Sequence, residues 1–178
     1  MVKVVDKESL GGITEIESPV KKVSFYVTGV SDRQKDGGWC SILNSEINGT
    51  DYTKRIAGYG KGTTDTRMTL IAFLASLKQL NFKKDVFYFV TLYTSSVQLS
   101  QALNVNLETW KKTDFTTKSG DMVKHADLYK EIADFLDTHM LSVQVFRQAK
   151  SYEEKFKEAS NVAANYVMKA KMDLYEII

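Results

Sequence analysis

The chain has few residues that build covalent or metal cross-links: Cys40 is its only cysteine, and it has two histidines. An intramolecular disulfide is therefore impossible, and a zinc site built from cysteines is excluded. No long apolar run occurs, so the sequence predicts no membrane-spanning helix. The first ten residues, MVKVVDKESL, are interrupted by charges and lack the apolar centre of a signal peptide. These absences favour a protein of the reducing cytoplasm.

Charge of one sign is also scarce, since the net charge is only +2. Any nucleic-acid binding must therefore come from a local patch of surface. A length of 178 residues suits one domain with a single core. The one proline, Pro19, follows a stretch that contains Gly11-Gly12. We expect an N-terminal extension over residues 1–20, a domain over residues 21–172 and a C-terminal tail over residues 173–178.

Hydrophobic periodicity predicts an α/β fold. The predicted strands are residues 23–28, 39–44, 52–59, 86–93 and 141–146, with Asn48-Gly49 as the turn between the second and third. The predicted helices are residues 66–80, a short helix that ends at 103, residues 126–138 and residues 152–171. The run 86–93 is almost wholly apolar, which is typical of the middle strand of a sheet. The order indicates a five-stranded mixed sheet, with three antiparallel strands followed by two parallel additions, flanked by helices.

Several separate motifs share a family resemblance. They are residues 25–29 (FYVTG), 37–39 (GGW), 63–70 (TTDTRMTL), 93–96 (YTSS), 110–112 (WKK) and 123–129 (VKHADLY). In this order they resemble ribonuclease H of type 1, over residues 23 to about 170. The resemblance implies the RNase H-like fold, with WKK and VKHADLY in the basic protrusion of that family.

The resemblance also implies four positions at which that family carries acids that hold two magnesium ions. These positions are Thr28, Thr69, Ser95 and Asn161. Four neutral groups do not offset the charge of two divalent ions, so we expect no metal, no cofactor and no enzymatic activity. The segment 146–150 also lacks the histidine that the family carries after its fifth strand. A rearranged site would have to use nearby acids, for which the candidates are Asp32, Asp36 and Asp65.

Without catalysis, the function that the resemblance implies is binding of nucleic acid. Thr63, Thr64 and Arg67 match positions near the first helix that would hold a phosphate at its N-terminus. The protrusion mixes aromatic and cationic groups suited to stacking on bases and neutralising phosphates, namely Trp110, Lys111, Lys112, Phe115, Lys118 and Lys124. Against this, Glu108, Asp114 and Asp121 dilute the charge, and Trp110 could instead pin the protrusion to the domain.

Two functions of different classes follow. The first is a catalytically inactive protein that binds nucleic acid, either RNA or an RNA/DNA hybrid. It would contact the nucleic-acid backbone and stack on the bases. The second is a structural or protein-interaction module that docks a partner through the N-terminal arm or the apolar tail, residues 174–178. A third hypothesis is residual or rearranged metal-dependent nuclease activity. Replacement of all four acids suggests a viral or phage source. His125 and His139 each stand alone on a helix, and we expect them to be structural or exposed rather than ligands.

Overall fold

The computed structural model describes residues 20–147 and 154–173. The strands are β1 (Val20–Ser31), β2 (Gly37–Ile47), β3 (Thr50–Gly60), β4 (Phe87–Thr94) and β5 (Leu141–Arg147). The helices are α1 (Asp65–Leu77), α2 (Val97–Gln101), α3 (Leu107–Lys112), α4 (Ala126–Thr138) and α5 (Glu154–Met172), with a π-helical turn (Ala102–Asn106) between α2 and α3. The predicted arm, tail and the link from β5 to α5 lie largely outside the described residues.

The sheet has five strands in the order β3-β2-β1-β4-β5. β1 pairs antiparallel with β2, and β2 with β3, whereas β1–β4 and β4–β5 are parallel. This arrangement confirms the predicted five-stranded mixed sheet. The central strand is β1, however, so the prediction that residues 86–93 form the middle strand is wrong.

The apolar run of β4 has a different explanation. One face of β4 packs into the main core through Tyr88, Val90 and Leu92. On the other face Tyr93 stacks on Tyr26 of β1, with ring centroids 4.7 Å apart, and on Phe146 of β5 at 5.6 Å. β4 has a neighbouring strand on each side and aromatic rings on its second face. Its sequence is therefore apolar at almost every position, although β4 is not the central strand.

Two cores lie on opposite faces of the sheet. Val23, Phe25 and Val27 of β1 point into a large cluster that α1 and α4 cover. Tyr26 points the other way, into a smaller cluster that includes Phe156 of α5. This alternation along β1 places helices on both faces, as the two-residue period of a strand requires.

Helix boundaries depart from prediction in two places. α1 ends at Leu77 rather than at residue 80, because Gln79 N–H bonds to Ser76 O and Leu80 N–H to Leu77 O, which tightens the last turn. The short helix that was expected to end at residue 103 instead continues through the π-helical turn to Lys112. α4 has the predicted bounds. No helix within the described ranges is long and apolar enough to cross a membrane.

Candidate nucleic-acid interface

The ends of β1 and β4 bring three of the four family positions together. Thr28 lies on β1 and is 5% exposed, and Val27 beside it pairs with Thr94, the residue before Ser95. A Cβ on Gly29 would meet the backbone nitrogen of Thr69, which places α1 directly against this end of β1. α5, which carries an exposed Asn161, packs on the opposite face. The structure therefore brings Thr28, Thr69 and Ser95 to one end of the sheet.

The donor set at these positions does not fit two magnesium ions. Three hydroxyls and one amide carry no charge, and Thr69 Oγ1 already donates to Asp65 O at 2.8 Å. No cluster of three or more His, Cys, Asp or Glu that could hold a metal exists within residues 20–147 and 154–173.

The nearby acids each have another partner. Asp32 forms a 2.7 Å salt bridge with Lys171 of α5, and this hydrogen bond is the main cause that lowers the pKa of Asp32. Asp36 lies 3.5 Å from Lys61, and Asp65 accepts a 2.6 Å hydrogen bond from Ser31. The three carboxylates thus hold loops and α5 in place. Within the described residues they form no cluster that could hold a metal ion.

The N-terminus of α1 carries the residues that were predicted to hold a phosphate. Thr64 caps the helix, since its Oγ1 accepts from Arg67 N–H at 3.2 Å. Thr63 is 4% exposed, and its Oγ1 has no hydrogen-bond partner among the described residues. An open cavity of about 590 Å³ lies beside this turn, lined by Ser31, Asp32, Arg33, Thr64, Asp65 and Thr66. Backbone N–H groups at a helix N-terminus attract anions.

Arg67 has a structural partner, which changes its predicted role. Its Nη1 and Nη2 atoms donate to Asp127 Oδ1 and Oδ2 at 3.1 and 2.6 Å. This pair raises the pKa of Arg67 and lowers that of Asp127. Arg67 therefore links α1 to the first turn of α4. Its guanidinium is already hydrogen-bonded to Asp127 in the absence of a phosphate.

The predicted protrusion spans residues 108–124, which comprise most of α3 and the loop that follows it, and we call this segment the basic loop. Phe115 is 5% exposed, and the Trp110 ring lies 4.9 Å from the Tyr129 ring and 6.4 Å from that of Phe115. The expectation that Trp110 and Phe115 stack on bases is corrected, because both rings pack on the core. The alternative, in which Trp110 pins the loop to the domain, matches the structure.

The backbone of the basic loop is held by its own hydrogen bonds. Phe115 N–H bonds to Trp110 O and Val123 N–H to Phe115 O, both at 2.8 Å. An antiparallel bridge between Thr116 and Met122 closes the tip that carries Lys118. Phe115 itself has a φ of 58°, a left-handed conformation that its buried ring stabilises. The loop can therefore present its lysines from a fixed position.

The charges of the basic loop divide into paired and unpaired groups. Lys111 lies 2.7 Å from Glu108 and 3.1 Å from Asp137, so its predicted contact with phosphate is replaced by a link to α4. Asp114 pairs with Lys130 at 3.4 Å, and Asp121 accepts from Ser119 at 3.0 Å. The remaining lysines are exposed and form no salt bridge within the described part of the chain: Lys112, Lys118 and Lys124.

The two histidines pack within the domain. His125 has a φ of 62° directly before α4, and burial is the main cause that lowers its pKa. The His139 ring stacks on Phe135 with centroids 4.0 Å apart. Both positions agree with the expected structural roles.

Comparison with known proteins identifies the fold and its relatives. Residues 20–167 match the model of the RNase H family. The chain belongs to the RNase H family. A Ribonuclease H of Caldicellulosiruptor saccharolyticus is 33% identical over 122 residues, which cover 67% of this chain and 79% of that protein. A Ribonuclease H of Acetivibrio thermocellus is 35% identical over 124 residues, covering 68% and 79% of the two chains.

Solved structures agree at the level of the fold. A type 1 RNase H that carries the type 2 active-site motif superposes with a TM-score of 0.72 at 16% identity, covering 85% of this chain and 74% of that one. A foamy viral protease-reverse transcriptase in complex with an RNA/DNA hybrid gives a TM-score of 0.62 at 12% identity, covering 95% and 22%. These matches confirm the RNase H-like fold.

The relatives also correct the prediction on activity. The expectation that the chain is not an enzyme is wrong, because relatives 33% and 35% identical to it are named for a nuclease. That expectation treated the side chains at Thr28, Thr69, Ser95 and Asn161 as decisive. These four side chains are the possible metal ligands of a single cleft. Membership of the family rests instead on the match over residues 20–167.

Proposed function

We propose that this RNase H family chain binds RNA/DNA hybrid duplexes, with the basic loop as its main contact to the phosphate backbone. The observation that carries the proposal is the division of charge in that loop. Of its three acids, Glu108 and Asp114 are in salt bridges and Asp121 accepts a hydrogen bond from Ser119, whereas Lys112, Lys118 and Lys124 are exposed. Cations on a rigid loop can follow a backbone and release counterions from it.

A second contact is proposed at the N-terminus of α1. Thr63 Oγ1 is buried without a hydrogen-bond partner among the described residues, and unsatisfied buried hydroxyls are rare. Helix N-termini favour anions, and Arg33 lines the adjacent cavity. A backbone phosphate there would meet Arg33 and the first turn of α1. The choice of a hybrid as ligand is supported by the foamy viral enzyme of the same fold, which was solved with an RNA/DNA hybrid.

Hydrolysis of the bound strand is the second candidate function. It is favoured by the name Ribonuclease H shared by relatives at 33% and 35% identity. The carboxylates nearest to the N-terminus of α1 that could serve it are Asp32 and Asp65, which line the cavity there. Because each already has a polar partner, a catalytic role would require its release from Lys171 or Ser31.

The binding proposal is tested by titrating a labelled RNA/DNA hybrid at several salt concentrations. We expect wild-type protein to bind with an affinity that falls as salt rises. In a Lys112→Glu, Lys118→Glu, Lys124→Glu variant the slope of log affinity against log salt should be shallower by about 2 to 3. The reason is that fewer counterions are released from the hybrid when fewer phosphates are contacted. Unchanged affinity and slope in this variant would contradict the proposal.

A matched control carries the same change in charge elsewhere. Lys83, Lys84 and Lys157 are exposed lysines outside the basic loop and α1. Their reversal to Glu should weaken binding only through the overall field, with a smaller change in slope. The same hybrid, incubated with magnesium and run on a denaturing gel, tests hydrolysis. Cleavage that an Asp65→Asn variant loses while it still binds would assign that carboxylate to the reaction.

The remaining predictions belong to the same proposal. We place the domain at residues 21–172, between an extension over 1–20 and a tail over 173–178, and we expect the protein in the cytoplasm. A protein partner that docks on the arm or the tail stays a prediction, because those segments lie largely outside the described residues.

A further inference from the structure

A second cavity, of about 640 Å³, opens beyond the C-terminal end of α1. It is lined by the first residues of β1 and β3, the last residues of β2, Tyr88 of β4 and residues 79–81. α1 stops at Leu77, so it does not extend over this end of the sheet. We call this cavity the β-end groove. Its volume is in the range of sites that hold small ligands.

The β-end groove has an apolar floor and an aromatic rim. Val23 and Leu43 form the floor, each 7% exposed, together with Leu80. Tyr52 stands at the rim and is 54% exposed. A large ring exposed beside an apolar floor is a surface on which a flat group can stack.

Charge around the β-end groove is mostly positive. Lys21, Lys22 and Lys54 line it, against one acid, Glu46. Lys21 Nζ lies 5.9 Å from the centre of the Tyr88 ring, and Lys54 Nζ donates to Gln79 Oε1 at 2.6 Å. These contacts hold two ammonium groups over the groove, so the groove favours an anion.

We propose that the β-end groove binds unpaired nucleotides of a single strand. A base would stack on Tyr52, and the flanking phosphates would pair with Lys21 and Lys54, which lie on the same face of the sheet as Val23. Alternation of aromatic rings with cations along a groove is how proteins hold single strands without reading their sequence. An acidic peptide could use the same lysines, but its carboxylates would leave the exposed ring of Tyr52 without a flat group to stack on it.

The proposed groove is independent of the hybrid interface. α1 has 13 residues, which at a helical rise of about 1.5 Å per residue puts its two ends about 20 Å apart. The basic loop and the N-terminus of α1 share no residue with the groove. Variants of one site can therefore be compared with variants of the other, and failure of either proposal is recognised separately.

The experiment uses the full chain and a fluorescent oligouridylate of about eight nucleotides, a length typical of one single-strand site. Fluorescence anisotropy at low salt should show binding by wild type. We expect Tyr52→Ala to weaken this binding about tenfold, Tyr52→Phe to retain it, and a Lys21→Gln, Lys54→Gln variant to weaken it and flatten its salt dependence. Affinity for a blunt hybrid should change less than about twofold in the same variants.

Two controls make the result decisive. Phe146, 44% exposed on β5, is changed to Ala as an exposed ring outside the groove, and a Lys112→Gln, Lys118→Gln variant serves as a cationic control with the same change in net charge. Both should leave oligouridylate binding within about twofold of wild type. The proposal is overturned if wild type does not bind the oligomer, if Tyr52→Ala binds as wild type does, or if polyglutamate displaces the oligomer at equal charge concentration. Thermal melts confirm that each variant is folded.

Discussion

Arg67 on α1 and Asp127 on α4 form a bidentate salt bridge, with N–O distances of 3.1 and 2.6 Å. The two residues are 60 positions apart in the chain, so the bridge joins two separate helices. Asp127 also lies in the first turn of α4, where a carboxylate is favoured by the helix dipole. The same bridge orients the start of α4 at the end of the basic loop. It therefore connects the proposed phosphate contact at α1 with the loop that presents the lysines.

The bridge predicts a pH-dependent contribution to stability. The hydrogen bond from Arg67 lowers the pKa of Asp127 below its ordinary value of about 3.9. The contribution is therefore fully present above about pH 3.9 and is lost as pH falls through the lower, folded pKa. Because both side chains are partly exposed, we expect Asp127→Asn to lower the free energy of unfolding by about 1 kcal/mol or less at pH 7.

Urea unfolding of wild type and Asp127→Asn across a pH series measures this difference. The two curves should converge toward the acidic end. As a control, Asp121→Asn changes an exposed acid of the basic loop that lacks a salt bridge within the described residues. A difference that stays constant down to low pH would contradict the assigned role of the bridge.

The rings of the basic loop are predicted to act on stability rather than on affinity. Phe115 is 5% exposed in the main core cluster, so Phe115→Ala should lower the free energy of unfolding by about 3 kcal/mol or more. The effect is measured by denaturant unfolding, and hybrid affinity is then compared at a temperature where the variant is folded. Lys118→Ala at the exposed tip gives the opposite pattern, with weaker binding and unchanged stability. A Phe115→Ala variant of normal stability would show that the ring is not buried in solution.

The close approach of β1 to α1 gives a third prediction. A Cβ on Gly29 would lie 2.6 Å from Met68 C and 2.7 Å from Met68 Cβ, and closer still to Thr69 N. Since backbone cannot move aside as a flexible side chain can, Gly29→Ala should cost about 3 kcal/mol or more. Gly60→Ala is the matched control, because its Cβ would meet only the end of the Met68 side chain, at 3.2 Å. Thermal melts of the two variants should differ clearly, and equal melting temperatures would refute the close packing.

The neutral donor set at the ends of β1 and β4 leads to a prediction about magnesium. Thr28, Thr69, Ser95 and Asn161 offer no charge to a divalent ion, so hybrid binding should not depend on one. With magnesium replaced by EDTA at matched ionic strength, we expect hybrid affinity to stay within about twofold. A loss of binding in EDTA would show that a cation bridges the protein and the phosphates.

The fold was largely predictable because its signals are local. α4 has the predicted bounds, 126–138, since apolar residues at helical spacing and an acid in the first turn mark it without reference to the rest of the chain. The helix that was expected to end at residue 103 continues because a π-helical turn re-registers it, and no residue there signals such a turn.

Side-chain roles were harder to predict, because they depend on distant partners. Arg67 and Lys111 are cations in motifs that resemble a nucleic-acid surface, yet Asp127 and Asp137 lie 60 and 26 residues away and pair with them. Phe115 is buried and has a positive φ, a backbone conformation that nothing in the sequence around it predicts. The β-end groove likewise arises from the early end of α1, which periodicity had extended to residue 80.

Cys40 gives a chemical probe of the helix that covers the smaller core. It is fully buried beneath α5, and burial raises the pKa of its thiol to about 12. Because the thiolate is the reactive form, Cys40 should not react with a disulfide reagent in the native protein at pH 8, although an exposed thiol reacts readily there. Reaction should appear only when α5 detaches or the domain unfolds, so its rate reports the population of that open state.

We therefore expect Ellman's reagent to label Cys40 in urea and to label the native protein slowly, at a rate that rises in variants that loosen α5. Arg55→Ala removes the 3.1 Å salt bridge between β3 and Glu158 of α5, near Cys40, and should speed labelling modestly because that pair is exposed. Phe156→Ala removes a buried ring from the same cluster and should speed it far more. Fast labelling of the wild-type protein under native conditions would mean that α5 does not cover this face of the sheet in solution.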